Sequence, residues 1–190
     1  MSKVSCIVLA AGAGRRMGHD ENKIFIKLGN KSIIQWTLSN IEQVKAVSEV
    51  ILVVADGEAA YMKQHIASLG LSKSIKIITG GKERQDSVYA GLQAVSDDMD
   101  IVLVHDGARP LAKPELFERV IEGAKTHGAV TIGVPSTDTI KRVDIDGQVL
   151  ETLNRNELMN IQTPQGFLKN IFKEAQETAK RDAYLGTDDV

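Results

Sequence analysis

A glycine-rich turn with clustered cations follows the first apolar run of this chain. Gly12 and Gly14 can bring the backbone close to a ligand, because glycine has no Cβ and accepts unusual φ/ψ values. Arg16, a second arginine beside it and Lys23 supply charge-assisted donors suited to a polyphosphate. We therefore predict a nucleotide-phosphate site directly after the first strand, with a plain structural turn as the alternative.

Two better-known phosphate loops do not match this turn. The dinucleotide fingerprint needs G-x-G-x-x-G, and here the third glycine, Gly18, comes one position late. The P-loop needs G-x-x-x-x-G-K-[ST], but Gly81 and Lys82 are followed by Glu83 and have no glycine five positions before them. The spacing therefore disfavours an NAD-dependent dehydrogenase and a P-loop enzyme.

Apolar runs alternate with segments of helical periodicity along the chain. The runs are short and nearly continuous in Val, Ile and Leu, which is typical of strands buried on both faces. We predict strands at 5–10, 50–55, 75–79, 101–105 and 129–134, and helices at 32–44, 58–69, 86–95, 114–127 and 169–181. This alternation predicts an α/β fold with a mostly parallel twisted sheet flanked by helices. Ligands of such sheets bind beyond the carboxyl ends of the strands, where the cationic turn falls.

Two further polar segments follow predicted strands. Gly81 and Ser87 join a strand end to a helix start, as a second ligand wall or as a simple helix cap. Asp106 ends the fourth strand and is a candidate Mg²⁺ ligand, since Mg²⁺ takes one or two carboxylates plus substrate phosphates. The alternative is a structural pair between Asp106 and Arg109. We expect His105 to be packed or hydrogen-bonded locally.

The alternation breaks after residue 135. Two short strand patterns flank Asp146 and Gly147, a two-residue turn signal for a β-hairpin. A hairpin that interrupts a wound sheet usually projects from it, so the segment at about 137–160 is a candidate dimer arm. A plain edge hairpin is the other interpretation.

Length and composition agree with one globular domain over residues 1–190. The net charge of −2 gives no reason to expect binding to nucleic acid or to a membrane surface. Cys6 is the single cysteine, so no disulfide forms within the chain and a reducing compartment fits. We find no signal peptide and no apolar stretch long enough to span a bilayer, and we expect a cytoplasmic protein.

Taken together, the motifs resemble the 2-C-methyl-D-erythritol 4-phosphate cytidylyltransferase family. The matching pieces run in order along the whole chain: AAGAGRRM at 10–17, Lys23, GGKERQDSV at 80–88, HDGARP at 105–110, VP at 134–135, DTIKRV at 138–143, QTPQ at 162–165 and TDD at 187–189. The ordered combination is specific, whereas the first motif alone is shared by nucleotidyltransferases at large.

The resemblance implies a Rossmann-like nucleotidyltransferase fold and a homodimer. It also implies an Mg²⁺-dependent enzyme that joins CTP and methylerythritol phosphate into CDP-methylerythritol and pyrophosphate. Arg16 and Lys23 would be the catalytic cations, and Asp106 would serve the metal and the substrate. The remaining roles implied are a nucleotide site formed by Ala10, Ala11, Gly12, Gly14, Gly81 and Ser87, and an acceptor site formed by Arg109, Thr139, Arg155 and Thr163. Thr139 and Arg155 would reach in from the second subunit.

The sequence departs from the family pattern at three places. Asn22-Lys23-Ile24 replaces the commoner Pro-Lys-Gln, and Met159 stands where Trp is frequent. Family members continue after the TDD motif with a further strand and helix, so we expect the C-terminal part of the family's domain to be absent from this sequence. Two alternatives stay open: a cytidylyltransferase for another polyol phosphate such as ribitol 5-phosphate, and a non-catalytic nucleotide-binding module.

Overall fold

The fold is built on a central six-stranded sheet. The structure, a computed structural model, describes residues 2–12 and 22–190. The strands are β1 Val4–Leu9, β2 Lys27–Leu28, β3 Lys31–Ser32, β4 Val47–Val54, β5 Ser74–Thr79, β6 Ile101–Asp106, β7 Ala129–Pro135, β8 Lys141–Val143, β9 Val149–Thr152 and β10 Met159–Leu168. The helices are α1 Ile33–Glu42, α2 Ala59–Ile66, α3 Arg84–Ala94, α4 Pro114–His127 and α5 Lys169–Arg181. In the central sheet the strands lie in the order β5-β4-β1-β6-β10-β7.

The four strands β5, β4, β1 and β6 run parallel, as the alternating pattern predicts. The mostly parallel, helix-flanked α/β sheet is confirmed, and each of the five predicted strands lies within three residues of its observed bounds. Helices α4 and α5 coincide with the predicted ranges. Hydrophobic periodicity therefore locates the framework of this domain.

Strand β10 was not predicted from the sequence. It pairs antiparallel with β6 on one side and with β7 on the other, in the interior of the sheet. Its residues include Gln162, Thr163, Pro164 and Gln165, which interrupt any apolar run. The register against β7 shifts between Gln162 and Gly166, and such an irregularity accommodates a proline that has no N–H to donate.

Alternate residues of the central strands face two separate cores. Val4, Cys6 and Val8 of β1 pack with apolar residues of α1, α2 and α4, whereas Ile7 packs with residues of α3 and α5. This division follows from the two-residue period of a strand. Cys6 is fully buried, and burial raises the pKa of its thiol to about 12, so it is a core residue as expected.

The predicted hairpin is confirmed and stands apart from the main sheet. Strands β8 and β9 form a two-stranded sheet of their own, and their residues are exposed. Asp144 Oδ1 accepts hydrogen bonds from the N–H groups of Asp146 (3.0 Å) and Gln148 (2.8 Å), and Gly147 has a φ of 83°. The Asp-Gly pair makes this turn because glycine accepts positive φ. We call residues 137–160 the arm.

Candidate active site

The parallel strands bring the candidate segments together at one edge of the sheet. Because β1, β4, β5 and β6 are parallel neighbours, their carboxyl ends meet there, followed respectively by residues 10–12, 55–56, 80–81 and 107. A cleft of about 380 Å³ opens at this edge, lined by Ala11, Ala55, Asp56, Thr79, Gly80, Gly81 and Lys82. Ala11 and Gly81 are thus brought to one cleft, as predicted.

The floor of this cleft is packed so closely that side chains are excluded from two positions. A Cβ on Gly80 would lie 2.6 Å from Ser87 Oγ and 3.0 Å from the Cβ of Ala11. A Cβ on Gly81 would lie 2.2 Å from the Cβ of Asp86. Gly80 therefore lets the segments that follow β5 and β1 approach each other, and Gly81 lets the loop after β5 lie against the start of α3.

Ser87 fixes the loop between β5 and α3. Its hydroxyl accepts a hydrogen bond from the N–H of Gly81 (3.1 Å) and donates one to the carbonyl of Glu83 (3.2 Å). Ser87 is buried, and its hydroxyl fixes the backbone beside Gly80 and Gly81. We call these two glycines the glycine wall. Contact between Ser87 and the base stays a prediction.

Lys23 is placed near the same edge by a short 3-10 turn, Lys23–Phe25. Ile24 in the middle of the turn is 2% exposed and belongs to the core beside α1 and α2, which anchors the backbone of Lys23. Arg16 and Gly14 lie outside the described residues. Their assigned roles therefore stay predictions.

Asp106, the last residue of β6, lies between two arginines. Arg109 Nε is 2.9 Å from Asp106 Oδ2, and Arg84 Nη2 is 3.6 Å from Asp106 Oδ1. Arg109 also donates to Gln162 Oε1 through Nη1. The pair between Asp106 and Arg109, which was the alternative to a metal role, is present in this structure. The function of Asp106 as a metal ligand stays a prediction.

Behind Asp106 a chain of hydrogen bonds runs through the interior. The N–H of Asp106 donates to Thr163 Oγ1 (3.1 Å), which lies 3.0 Å from His105 Nδ1. His105 Nε2 lies 3.4 Å from the carbonyl of Arg109, which can only accept. A neutral His105 protonated at Nε2, with Thr163 donating to Nδ1, satisfies every contact. Burial lowers the pKa of His105 to about 4, in agreement with a neutral ring.

Thr163 is therefore placed differently from the other acceptor-site candidates. It is 6% exposed, and its hydroxyl already joins β10 to β6. In this structure Thr163 supports the backbone of Asp106 from behind. Direct contact with a substrate phosphate stays a prediction.

Arg84 and Asp189 are site residues to which the sequence reasoning gave no role. Arg84 Nη1 lies 2.6 Å from Asp189 Oδ2, and the Asp189 side chain is 1% exposed. Burial raises the pKa of Asp189, and the charge of Arg84 opposes that rise. Both residues lie inside motifs that match the family, GGKERQDSV and TDD, so their opposite charges were the available signal. Arg84 links the segment 184–189 to Asp106.

Thr139 and Arg155 lie on the arm, which follows the carboxyl end of β7. Both are exposed, and Arg155 Nη1 donates to the carbonyl of Thr137 at 3.1 Å. Within one chain, no contact described for residues 2–12 and 22–190 joins either side chain to Asp106 or Lys23. Their expected role in the acceptor site stays a prediction.

Comparison with known proteins places these features in one family. The family model described as 2-C-methyl-D-erythritol 4-phosphate cytidylyltransferase matches residues 4–190. A relative of that name from Alkaliphilus metalliredigens is 46% identical over 190 residues, which is 100% of this chain and 79% of the relative. One from Clostridioides difficile is 45% identical over 97% of this chain and 78% of the relative. The chain belongs to the 2-C-methyl-D-erythritol 4-phosphate cytidylyltransferase family.

A solved structure supports the same assignment at the level of the fold. The 4-diphosphocytidyl-2C-methyl-D-erythritol synthase of Anaerococcus prevotii superposes with a TM-score of 0.87 at 32% identity, over 99% of this chain and 81% of that chain. The nucleotidyltransferase fold predicted from the motifs is therefore confirmed. As a member of this cytidylyltransferase family, the chain is an enzyme of CTP-dependent cytidylyl transfer in isoprenoid precursor biosynthesis.

The described residues of this cytidylyltransferase hold few groups that suit a metal ion. No cluster of three or more His, Cys, Asp or Glu side chains with metal-binding geometry occurs in the ranges 2–12 and 22–190. Mg²⁺, however, commonly takes one or two protein carboxylates and completes its shell with substrate phosphates and water. Asp106, partly exposed at the end of β6, fits that donor set.

None of the described helices has both the length and the apolar composition of a membrane-spanning segment.

Proposed function

We propose that this cytidylyltransferase uses Lys23, Arg16 and Mg²⁺ to join CTP to 2-C-methyl-D-erythritol 4-phosphate as a homodimer. The observation that carries the proposal is the meeting of the glycine wall, the Lys23 turn and Asp106 at one edge of the sheet. Cytosine would face the backbone of residues 10–12 and 80–81. Lys23 and Arg16 would contact the triphosphate.

The acceptor needs no protein base. A phosphate monoester has a second pKa near 6, so at neutral pH it is already a dianion. One of its oxygens attacks the α-phosphorus of CTP, and the bond from that phosphorus to the bridging oxygen breaks as pyrophosphate leaves. Buried His105, with a pKa of about 4, has neither the access nor the basicity to act in this step.

Catalysis then rests on positioning and charge stabilisation. Two anions must approach, and negative charge builds up on the α-phosphoryl oxygens and the leaving pyrophosphate. Cationic donors already held in place stabilise that charge without reorganisation. When bound, Mg²⁺ would neutralise phosphate charge, with Asp106 as its protein ligand. Arg109, beside Asp106, would bind the acceptor phosphate.

Lys23→Ala is the sharpest test of this function. Pyrophosphate release is measured with CTP and methylerythritol phosphate, at saturating concentrations of both. We expect turnover to fall by about 10²–10³-fold, the usual loss when one such donor is removed. Lys27→Ala, which removes an exposed lysine four residues away, is the matched control and should keep normal turnover. Normal turnover of Lys23→Ala would contradict the role of Lys23.

The same assay separates the alternatives for substrate and metal. Replacing methylerythritol phosphate by ribitol 5-phosphate should abolish product, as should removing divalent cations with EDTA. UTP should be a poor donor, because a site that bonds an exocyclic amine leaves groups unpaired when the amine is absent. Product formed equally well from either acceptor, or in EDTA, would overturn that part of the proposal.

The homodimer rests on the arm. Five large apolar side chains on it are exposed in one chain: Val143, Ile145, Val149, Leu150 and Met159. An apolar surface of this kind marks a protein interface. A second chain would cover it and could bring Thr139 and Arg155 to the acceptor site.

The buried free thiol of Cys6 fits a cytoplasmic enzyme, because free cysteines persist in a reducing compartment.

A further inference from the structure

Asn22 lies where the walls of the cleft join. Its side chain is buried, with the residue 7% exposed. Asn22 Nδ2 donates to the carbonyl of Ala10 (3.0 Å) and to Glu58 Oε2 (3.3 Å). Asn22 Oδ1 accepts the N–H of Ile24 (3.4 Å). One amide therefore contacts the segment after β1, the residue before α2 and the turn that carries Lys23.

The hydrogen bond from Asn22 fixes the peptide of Ala10, which we expect to face the base of CTP. The N–H of Ala10 already donates to the carbonyl of Val53 in β4 (2.7 Å). With its carbonyl held by Asn22, Ala10 is tied on one side to the sheet and on the other to residue 22. This bond joins two points twelve residues apart in sequence. The bond therefore ties the Ala10 peptide to the turn that carries Lys23.

The backbone of Asn22 also stabilises the turn that carries Lys23. Its carbonyl accepts the N–H of Phe25 (3.0 Å), and its Oδ1 caps the 3-10 turn that begins at Lys23. The amide is suited to this junction because it offers two N–H donors and one acceptor, and all three have partners. A carboxylate has no donor, and a hydroxyl has only one.

We infer that Asn22 is a positioning residue, which holds Lys23 at a fixed distance from the Ala10 peptide. The inference rests on the proposed function of Lys23. Lys23 would act at the triphosphate while Ala10 faces the base, so their separation decides whether Lys23 meets the charge that develops on the phosphates in the transition state. In this chain the residue stands where the commoner family motif has proline. Hydrogen bonds from an amide replace the rigidity of a ring at this position.

Asn22→Ala and Asn22→Asp test the inference in the whole protein. The first removes all three side-chain bonds, and the second keeps the acceptor for Ile24 while placing an oxygen against Ala10 and Glu58. We expect kcat to fall by about 10- to 100-fold in both, since a misplacement near 1 Å can cost that much. KM for CTP should stay within about threefold, because the lost interaction is made mainly in the transition state.

Gln35→Ala is the matched control. Gln35 Nε2 also donates to a backbone carbonyl, that of His65 (2.9 Å), but at the opposite end of α2. The variant loses a comparable amide contact and should keep the kcat of the wild type. If Gln35→Ala lost as much kcat as the Asn22 variants, or if both Asn22 variants kept kcat within about threefold of wild type, the inference would be overturned.

Amide hydrogen exchange provides a readout that does not depend on activity. Peptides covering residues 22–26 should exchange about tenfold faster in Asn22→Ala and unchanged in Gln35→Ala. If the wild type forms no product from CTP and methylerythritol phosphate, the proposed function fails and exchange alone decides whether Asn22 holds the turn. Unchanged exchange at residues 22–26 would then overturn the inference.

Discussion

The hydrogen bonds around His105 show how single residues prepare this active site. Asp106 needs a fixed backbone if its carboxylate is to face the substrate, and Thr163 supplies that from the neighbouring strand. Thr163 in turn needs an acceptor for its proton, which neutral His105 provides through Nδ1. The histidine is therefore structural, and its neutrality is a condition for the arrangement.

This dependence predicts a loss of stability in mild acid. The pKa of His105 is lowered to about 4 by burial, against about 6.5 for a histidine in an unfolded chain. Between these values the unfolded chain binds a proton that the folded chain does not, so stability falls as pH falls from 6.5 towards 4. The contribution of this one group between pH 7 and pH 5 is about 2 kcal/mol.

Urea unfolding of the wild type and His105→Gln at both pH values measures this contribution. We expect the wild type to lose about 2 kcal/mol more free energy of unfolding than His105→Gln between pH 7 and pH 5. His127→Gln, which removes an exposed histidine, should behave like the wild type. An equal acid response of wild type and His105→Gln would mean that His105 is not held neutral.

Residue types and spacing alone located part of this site. The glycines and Asp106 could be predicted because they stand at the ends of apolar runs, and parallel strands bring such positions to one edge. Lys23 could be predicted because it belongs to the cationic segment that follows the first run. The opposite charges of Arg84 and Asp189 did not identify them as a pair, since 105 positions separate them in the sequence. The inward placement of Thr163 depended on β10, which the sequence pattern did not show.

At the level of elements, the two glycine segments differ in what they require. Gly81 lies in the loop before α3, and a Cβ on Gly81 would lie 2.2 Å from the Cβ of Asp86. For Gly12, after β1, no atom of the described residues lies within 4 Å of the place where a Cβ would stand. Gly81 is therefore demanded by packing within the fold, whereas the described residues leave space beside Gly12, where we expect a phosphate to approach.

Gly81→Ala and Gly12→Ala should consequently separate stability from binding. We expect Gly81→Ala to lose about 1–3 kcal/mol of unfolding free energy, because α3 must shift to admit the methyl group. Gly12→Ala should change stability by less than about 0.5 kcal/mol but weaken CTP binding about tenfold. Urea titration and calorimetry with CTP and Mg²⁺ measure the two effects. A stable Gly12→Ala with unchanged CTP affinity would remove Gly12 from the nucleotide site.

The strands also show which kind of strand a hydrophobic pattern does not predict. Continuous runs of Val, Ile and Leu predicted β1, β4, β5, β6 and β7 as strands buried on both faces. That burial is found for β1, β4 and β6, whereas β5 and β7 form the edges of the sheet and are partly exposed. β10 is equally interior but carries Pro164 and several amides, which bond to neighbouring groups instead of packing. Gln165, for instance, donates to Thr131 (3.2 Å) and accepts the N–H of Asp189 (3.3 Å). Only the pairing of strands makes such a sequence a strand.

At the scale of the whole molecule, the site described here is divided between two places. The nucleotide side lies at the strand ends of one chain, whereas Arg155 and Thr139 lie on an exposed arm. The proposed homodimer resolves this separation if the arm of each chain reaches the cleft of its partner. Two sites would then form, each with Lys23 from one chain and Arg155 from the other.

Mixing two inactive variants distinguishes this arrangement from a site contained in one chain. Lys23→Ala lacks the catalytic cation but has an intact arm, and Arg155→Ala has the reverse. In a mixed dimer with exchanged arms, one site combines both defects and the other has none. After equal mixing with subunit exchange, half of the dimers are mixed, so about a quarter of wild-type activity should return.

Sedimentation equilibrium supplies the control for this mixing experiment. The wild type should sediment as a dimer, and a variant with Val149→Asp and Leu150→Asp on the exposed arm should sediment as a monomer and lose activity. If the two inactive variants regain no activity although they exchange subunits, each site uses its own arm. If the wild type is a monomer with full turnover, Arg155 must reach Asp106 within one chain, which would require the arm to fold back over the cleft.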